Sequence, residues 1–331
     1  MVDPGVALAL ERGVFTLSLD FELVWGSRDL CDDPAALIAA SRITRDQCFD
    51  AFLACLERHG IVATWATVGH LFLEGATLSA GCLHPDLVPP SHAWRPDWFA
   101  GVPEGTEAEH PAFYARSLVE RLRDAGQEVG SHSFSHPVFG EAGCSRETAD
   151  SELARCVREA QALGVELRSF VFPRNVAGHV DLLPKHGFTC WRPLEPTWYN
   201  RRAVPGKMKR AAHLVDVVRA ATPPTVLPER DAHGLWQIPA SATFLPYFGV
   251  RRLIPLGARV RRSTRGIDAA AERRRVCHLY LHPINLADDP EAMLGALDRV
   301  FDHVARLRDQ GRIEVHSMGG LAEHASLRSP A

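Results

Sequence analysis

The sequence predicts an α/β fold built around parallel strands. Strand-like segments alternate with helical segments along the chain, beginning with VFTLSLDFE at residues 14–22. Apolar residues make up 46% of the 331 residues and charged residues 23%, which is typical of globular proteins and unlike disordered or fibrous chains. Repeated βα units over the whole length favour a barrel-like or open parallel sheet, and the chain is long enough to bury a large core.

The strands and helices can be placed from hydrophobic periodicity and from capping residues. Thr44 and Gln47 predict a capping box for a helix that ends at Gly60. Asp289-Pro290 predicts the start of a helix that ends at Gly311. Further helices are predicted over residues 111–125, 146–163 and 177–187. Further strands are predicted at IVATWATV (61–68), QEVGSHS (127–133), LRSFVFP (167–173), FTCW (188–191), VCHLYLHP (276–283) and RIEVHSM (312–318).

Two segments interrupt this alternation and are predicted to be long loops. Residues 71–110 are rich in proline and tryptophan, and residues 192–272 are rich in proline and arginine, with one strand-like piece, LWQIPAS. Long irregular segments in a compact domain are often functional. Nine arginines between 251 and 275 could hold a phosphate, a nucleotide-sugar or a lipid-linked head group, or could form a solvated basic face. Tryptophans that could stack on sugar rings, or could instead pin loops to the body, are Trp25, Trp94, Trp98 and Trp198.

Charge and segment composition argue against several classes of protein. The formal net charge is −3, so no overall positive field attracts nucleic acid. Residues 1–15 hold only a short apolar run and no basic region, so we expect no signal peptide. No stretch approaches the roughly 20 apolar residues of a membrane span. The eight cysteines form no CxxC pair and are expected to be reduced core thiols, which favours a cytoplasmic protein.

The first strand ends in two carboxylates, Asp20 and Glu22, with Phe21 between them. Side chains alternate between faces in a strand, so Asp20 and Glu22 point the same way. Two acids on one face repel each other unless a cation lies between them. The pattern therefore indicates a metal ion or an arginine nearby.

His132 and His136 lie four residues apart in GSHSFSHP, where a strand leads into a turn. Such a turn can bring both imidazoles to one point. Together with one carboxylate they would form a triad that leaves coordination positions open for water and substrate. The alternative is a pair of surface histidines in a polar turn.

Further polar residues follow the later strands. Arg174 and Asn175 follow a strand in FVFPRN, and His282 ends the strand of HLYLHP. The carboxyl ends of parallel strands form the active-site rim of α/β barrels. An arginine there could keep a catalytic carboxylate ionised, and an asparagine or a backbone N–H could bind an oxyanion; a surface arginine is the alternative. Six candidates share this position at strand ends: Asp20, Glu22, His132, His136, Arg174 and His282.

Taken in order, these motifs resemble those of the polysaccharide deacetylases, the NodB-homology enzymes of carbohydrate esterase family 4. The resemblance rests on acid-x-acid after the first strand, H-S-x-x-H after the third, a proline-containing turn after the next, and a late strand that ends in His-Pro. FPRN, LHPINL and ATWATVGH are most similar to the intracellular-type branch, with its allantoinase-like amide hydrolases and exopolysaccharide deacetylases. The resemblance covers about residues 14–320. It implies a distorted (β/α)7 barrel in one catalytic domain, 1–331, with insertions at about 71–110 and 192–272.

The resemblance also implies roles for the candidate residues. Asp20 would be the general base and His282 the general acid, with Arg174 beside Asp20 and a backbone N–H near Asn175 holding the oxyanion. One divalent metal ion is expected, zinc by default, with cobalt, nickel, iron or manganese as alternatives. The implied metal ligands are Glu22, His132 and His136. The sequence departs from the common pattern twice, because the acids are not adjacent aspartates and because Pro173-Arg174-Asn175 replaces the usual Arg-x-Pro turn.

The implied function is metal-dependent removal of an N-acyl group, expected to be N-acetyl, from an amino sugar or saccharide intermediate in the cytoplasm. The expected partner is an N-acylated saccharide, with phosphate, nucleotide or lipid links all open, and neither a nucleic acid nor a place within a membrane is expected. Two alternatives remain: an allantoinase-like hydrolase of another non-peptide C–N bond, without a metal, and a carbohydrate-binding barrel that has lost catalysis.

Overall fold

The computed structural model describes residues 10–200 and 204–328. A sheet of ten strands curls into a half-barrel, and two further strands form a separate antiparallel pair. The strands are β1 Gly13–Phe21, β2 Thr64–Thr67, β3 Gly75–Ala76, β4 Gly105–Thr106, β5 Glu128–Ser131, β6 Ser169–Phe170, β7 Cys190–Trp191, β8 Glu229–Arg230, β9 Trp236–Gln237, β10 Ala242–Thr243, β11 Val276–Leu281 and β12 Ile313–Val315. The helices are α1 Pro34–Ile43, α2 Phe49–Arg58, α3 Arg116–Asp124, α4 Arg146–Ala162, α5 Gly206–Val218, α6 Leu256–Arg273, α7 Pro290–Asp309 and α8 Met318–Arg328.

The large sheet is parallel, as the alternating pattern predicts. Its order is β10-β11-β1-β2-β5-β6-β7-β9-β8, with β12 also paired to β1, and among the described strands of this sheet only β8 and β9 pair antiparallel. One continuous row of paired residues crosses five strands near their carboxyl ends. The row consists of Phe21, Thr67, Ser131, Phe170 and Trp191. The residues that directly follow these five residues therefore lie together at one edge of the sheet.

The centre of the fold is β1, whose nine residues are all buried. Phe21 packs edge-on against Trp65 of β2, with ring centroids 5.5 Å apart, and Phe52 of α2 continues the cluster. Burial on both faces explains why these strands are almost continuously apolar. The polar residues at the end of β1 therefore lie on a rigid support.

The predicted start of α7 is confirmed. The Asp289 carboxylate accepts a hydrogen bond from the backbone N–H of Ala292 at 3.2 Å, and Pro290 occupies the first helical position, where its missing N–H costs nothing. The apolar face of α7 packs on the core through Leu297, Phe301 and similar residues. The predicted helix at 146–163 is confirmed as α4, capped by Ser145.

Other helix boundaries differ from the prediction. Thr44 does not cap a helix, because α1 already begins at Pro34 and continues into α2 through a π-helical turn at Thr44–Cys48. The Thr44 hydroxyl instead donates to the carbonyl of Ala40 at 2.8 Å. The predicted helix 111–125 begins only at Arg116. The predicted helix 177–187 is a 3₁₀ helix, Val180–His186.

The two predicted loops have different outcomes. Segment 71–110 is largely irregular apart from the short strands β3 and β4. The prediction for 192–272 is wrong, because this segment contains α5, of 13 residues, and α6, of 18 residues. Arginine is a good helix former, so an arginine-rich stretch need not be a loop.

The cysteines and the helices also bear on the sequence expectations. All eight cysteines are free, and six of them are buried, which confirms the expectation of unpaired thiols. No helix within the described residues is long and apolar enough to cross a membrane.

Candidate active site

The row of paired residues across the sheet determines which side chains meet. One position beyond the row lie Glu22 after β1, His132 after β5 and Arg192 after β7. On the other side of β1, Leu281 pairs with Leu19, which places His282 level with Asp20. Residues that are more than a hundred positions apart in the sequence thus lie within hydrogen-bonding distance of one another.

Glu22 lies between the two predicted histidines. Its Oε1 is 2.9 Å from Nε2 of His132 and 3.2 Å from Nε2 of His136. The chain turns sharply after Glu22, with φ of 48° at Leu23, and comes back so closely that a Cβ at Gly26 would overlap the Glu22 carboxylate. Gly26 therefore leaves the space that this carboxylate occupies.

The histidine turn is held by a buried carboxylate. Glu152 of α4 accepts hydrogen bonds from the backbone N–H groups of Phe134 and Ser135 at 2.9 and 2.7 Å, and from the Ser135 hydroxyl at 2.5 Å. His136 has φ of 66°, a left-handed conformation that costs free energy in a non-glycine residue. The hydrogen bonds to Glu152 stabilise the strained turn and aim His136 at Glu22.

A metal ion fits this donor set. The three ligand atoms of Glu22, His132 and His136 all lie within 4.8 Å of one another, and all three residues are buried. His132 Nδ1 is 2.7 Å from the carbonyl of Val171, which can only accept, so Nδ1 carries the proton and a neutral His132 turns a lone pair on Nε2 toward Glu22. A carboxylate oxygen facing such a lone pair needs a proton or a metal ion between them.

Asp20 is held by an arginine that the sequence analysis missed. The Arg192 guanidinium donates hydrogen bonds to both carboxylate oxygens of Asp20, at 2.6 and 2.7 Å, and to the Ser18 hydroxyl at 2.8 Å. Both members of the pair are almost fully buried. Such a bidentate arrangement fixes the orientation of the carboxylate as well as its charge.

The electrostatics of the cluster favour ionised acids. Burial is the largest influence on Asp20 and raises its pKa, but the charge and hydrogen bonds of Arg192 together with the charge of His282 outweigh it, so the pKa of Asp20 is lowered. Burial likewise opposes ionisation of Glu22, yet the histidines around it hold its pKa well below the usual range. Burial lowers the pKa of His136, which favours the neutral form that binds metals.

His282 lies at the open side of the cluster. Its Nε2 is 3.5 Å from Oδ2 of Asp20 and 3.8 Å from Oε1 of Glu22, and its side chain is 33% exposed. It is therefore the accessible imidazole of the group, in reach of a molecule that enters from solvent.

Arg174 and Asn175 occupy places different from those predicted. Arg174 does not contact Asp20; it pairs with the buried carboxylate of Asp29. The backbone N–H of Asn175 is taken by the carbonyl of Phe172, at 2.8 Å. The Asn175 side chain does reach the site, because its Oδ1 accepts from Arg192 at 3.1 Å. Both residues have positive φ, so the 3₁₀ turn Pro173–Asn175 aims them apart.

Two of the predicted tryptophans cannot stack on a substrate. Trp25 and Trp98 are 1% and 2% exposed, and their indole N–H groups donate to the carbonyls of Phe113 and Ser135. They pin loops to the body, which is the alternative stated above. Trp94 is 43% exposed but packs on His92 and under Arg174. Trp198 is 56% exposed.

A cavity of about 340 Å³ opens over the cluster. Asp20, Glu22 and His282 lie in its lining, and segment 243–251 forms the opposite wall. Arg192 was missed because one arginine among many carries no local signal. The signal that could have found it is positional, since Arg192 directly follows the strand-like FTCW at 188–191.

Comparison with known proteins supports the predicted resemblance. Residues 40–179 match the family model of the polysaccharide deacetylases, as the motifs of the sequence predict. The match includes both histidines and ends before Arg192 and His282. No curated protein sequence matches the chain.

Solved structures agree on the fold. A protein from Mycobacterium smegmatis assigned to the polysaccharide deacetylases is 15% identical with a TM-score of 0.61, covering 100% of this chain and 99% of its own. A protein from Pseudomonas aeruginosa PAO1 with the same assignment is 9% identical with a TM-score of 0.60, covering 96% and 92%. The Puue allantoinase is 11% identical with a TM-score of 0.59, covering 96% and 91%. The predicted barrel type is thereby confirmed.

Proposed function

We propose that this protein is a metal-dependent hydrolase that removes an N-acyl group, N-acetyl first of all, from an amino sugar or saccharide. One observation carries the proposal: the buried Glu22–His132–His136 donor set lies beside a separate carboxylate, Asp20, and beside the accessible His282. The polysaccharide deacetylase match of residues 40–179 supports the substrate class.

Glu22, His132 and His136 would hold one divalent ion, and zinc suits a donor set of one carboxylate and two imidazoles. When bound, such an ion supplies Lewis acidity toward a carbonyl oxygen and lowers the pKa of water. The protein's own contribution is orientation: Val171 sets the tautomer of His132, and Gly26 leaves room for Glu22.

Asp20 serves as the general base. A base must be ionised and within reach of the proton it takes, and Arg192 secures both the charge and the aim of Asp20. Arg192 donates to both oxygens of Asp20, and each oxygen keeps a further lone pair for a water proton. His282 is the general acid that protonates the leaving nitrogen, because it is the imidazole on the solvent side of the cluster.

The Asn175 side chain is the donor that we assign to the developing oxyanion. The atom that faces Arg192 must be the amide oxygen, since a guanidinium can only donate. The amide Nδ2 is thereby directed away from Arg192, and Asn175 lines the cavity. A fixed amide donor of this kind stabilises charge that forms during acyl transfer.

The proposed compartment is the cytoplasm. Eight unpaired cysteines, six of them buried, suit a reducing environment better than an oxidising one. The proposed substrate is accordingly an N-acylated saccharide intermediate of an assembly reaction.

The test begins with metal content per chain, by elemental analysis, in tag-free wild-type protein and in Glu22→Ala and His132→Ala. We expect about one divalent ion in the wild type and its loss in both variants. Two other groups of potential ligands, Cys55–His59–Asp298 and Glu314–His316–His324, require controls. His59→Ala and His316→Ala should keep the ion.

Acetate release from N-acetyl sugars by the metal-loaded protein then tests the reaction. Asp20→Asn should lower kcat by about 10²–10⁴-fold while metal content stays unchanged. A wild type that takes up no metal yet hydrolyses an amide would instead support a metal-independent C–N hydrolase. A metal-loaded protein that binds sugars without turnover would support a non-catalytic barrel.

A further inference from the structure

A second, smaller cavity adjoins the active-site cavity. The cavity over the cluster measures about 340 Å³ and its neighbour about 180 Å³. His213 of α5 and Thr243 of β10 line both. The two cavities therefore adjoin at these residues, so the groups that line the smaller cavity lie beside a ligand held over Asp20.

The walls of the two cavities carry cations that form no ion pair among the described residues. Arg251 lines the first cavity, while Lys209 and Arg210 line the second. Within residues 10–200 and 204–328, none of these three forms an ion pair: Arg251 packs over the ring of Phe248 at 4.8 Å, and Lys209 Nζ reaches only the carbonyl of Asn200, at 3.5 Å. Basic side chains that line a cavity without counter-charges favour an anionic ligand.

One acid and one histidine also face this space. Glu195 lines the smaller cavity and its carboxylate accepts a hydrogen bond from Asn200 Nδ2 at 3.0 Å, so this cavity holds one acid against two cations, Lys209 and Arg210. His213 Nε2 is buried and has no hydrogen-bond partner among the described residues. A buried polar atom without a partner is costly, which makes His213 a ready contact for a ligand oxygen.

The opposite wall shows that these free cations are a local feature. Arg174 lines the same cavity, but Asp29 neutralises it. Three arginines of α6, Arg259, Arg262 and Arg265, donate hydrogen bonds to backbone carbonyls of the protein itself. Of the nine arginines between 251 and 275, Arg251 is the one that lines the cavity over the cluster.

We propose that Arg251, Lys209, Arg210 and His213 form a subsite for a phosphate group on the saccharide. The inference rests on the proposed function, because it places the phosphate next to the sugar whose acyl group lies at Asp20. Arginine and lysine together are suited to phosphate oxygens, which offer several acceptors to donors from different directions. The substrate class is thus a sugar phosphate or a saccharide linked through phosphate.

The first test measures binding of inorganic pyrophosphate by calorimetry at low ionic strength, which needs no catalysis. We expect Arg251→Gln and Lys209→Gln each to weaken binding about fivefold or more. Lys207→Gln is the matched control, because Lys207 lies on α5 with its side chain exposed and lines neither cavity. The control should bind pyrophosphate like the wild type.

The second test compares kcat/KM for N-acetylglucosamine 1-phosphate and for the unphosphorylated sugar. Arg251→Gln should lower kcat/KM for the phosphorylated sugar relative to kcat/KM for the unphosphorylated sugar. Lys207→Gln should leave this ratio unchanged. Vesicles of phosphatidylcholine with phosphatidic acid distinguish the source of the phosphate. The protein is sedimented together with these vesicles. If Leu253→Ser abolishes this cosedimentation and leaves pyrophosphate binding intact, the subsite belongs to lipid-linked substrates. Leu253 is the residue to change because it is 84% exposed on the same segment as Arg251.

The failure of this inference is separable from failure of the proposed function. Acetate release from neutral sugars without pyrophosphate binding would overturn the subsite and leave the deacetylase standing. Equal pyrophosphate binding by Arg251→Gln, Lys209→Gln and Lys207→Gln would also overturn it. Pyrophosphate binding that depends on Arg251, in a protein that hydrolyses nothing, would keep the subsite and overturn the enzyme.

Discussion

The two walls of the active-site cavity are built differently. One wall comes from the ends of β1 and β5, and its acids Asp20 and Glu22 are buried and paired, Asp20 with Arg192 and Glu22 with His132. The other comes from residues 194–200 and 204–253, which hold cations without ion pairs and eight of the fifteen exposed large apolar side chains of the described residues. Buried charges need fixed partners, whereas a solvated wall can change without unfolding the protein. Chemistry is thus placed on the rigid wall and substrate selection on the exposed one.

The largest expected effect is a loss of stability when the buried Asp20–Arg192 pair behind the rigid wall is broken. Arg192→Met removes the partner of a buried carboxylate, so we expect a loss of about 3–5 kcal/mol in the free energy of unfolding, measured with urea on metal-free protein. The double variant Asp20→Asn/Arg192→Met should recover part of this loss, because no buried charge is left unpaired. A loss below about 1 kcal/mol for the single variant would contradict the buried-pair account.

The next effect is a pH dependence of stability that arises under the histidine turn. Burial raises the pKa of Glu152 from 4.5 to about 7, so the folded protein holds a proton that the unfolded chain releases. The stabilisation is complete below pH 4.5 and is lost as the pH rises through about 7, with a magnitude of about 3 kcal/mol. Unfolding midpoints measured between pH 4.5 and 8 should carry this downward slope, added to the opposite contribution of buried histidines such as His70 and His278, whose pKa values burial lowers. Glu152→Gln should flatten that slope, and an identical slope in the variant would refute the assignment.

A smaller effect separates metal binding from stability. Gly26→Ala places a methyl group where the Glu22 carboxylate lies, so Glu22 must move, while the backbone at Gly26 needs no left-handed conformation. We expect metal affinity to fall about 10–100-fold, measured by competition with a chelating dye. Gly295→Ala in α7, where an added methyl meets nothing, should keep the wild-type affinity. Unchanged affinity in Gly26→Ala would show that Glu22 is not a ligand.

The smallest effect is expected on the exposed wall. Leu253→Ser should change the free energy of unfolding by no more than about 0.5 kcal/mol, because Leu253 is already 84% exposed. Leu19→Ala, in the fully buried strand β1 of the rigid wall, provides the contrast. We expect it to lower the free energy of unfolding by about 2–5 kcal/mol in the same urea titration. Similar losses in both variants would erase the distinction between the walls.

The sequence predicted much of the rigid wall and little of the exposed one. Alternation in a strand places Asp20 and Glu22 on one face, and their common position at strand ends brings His132, His136 and His282 toward them. The sequence predicts a loop where α5 and α6 lie, because prolines and glycines flank these helices and arginines interrupt their apolar faces. The tryptophans gave no local signal that separates a loop anchor from a sugar platform, since both occur in proline-rich loops.

The sequence by itself determined the parallel α/β fold, the resemblance to the polysaccharide deacetylases and the identity of the residues at the strand ends, because periodicity and strand position are local properties of the chain. Only the tertiary structure decided that Arg192 rather than Arg174 holds Asp20, since which arginine meets a carboxylate 172 positions away depends on the register across five strands. It also decided that Trp25 and Trp98 are buried and that Arg251 is free. Pairing and burial are relations between distant segments, and folding alone brings those segments together.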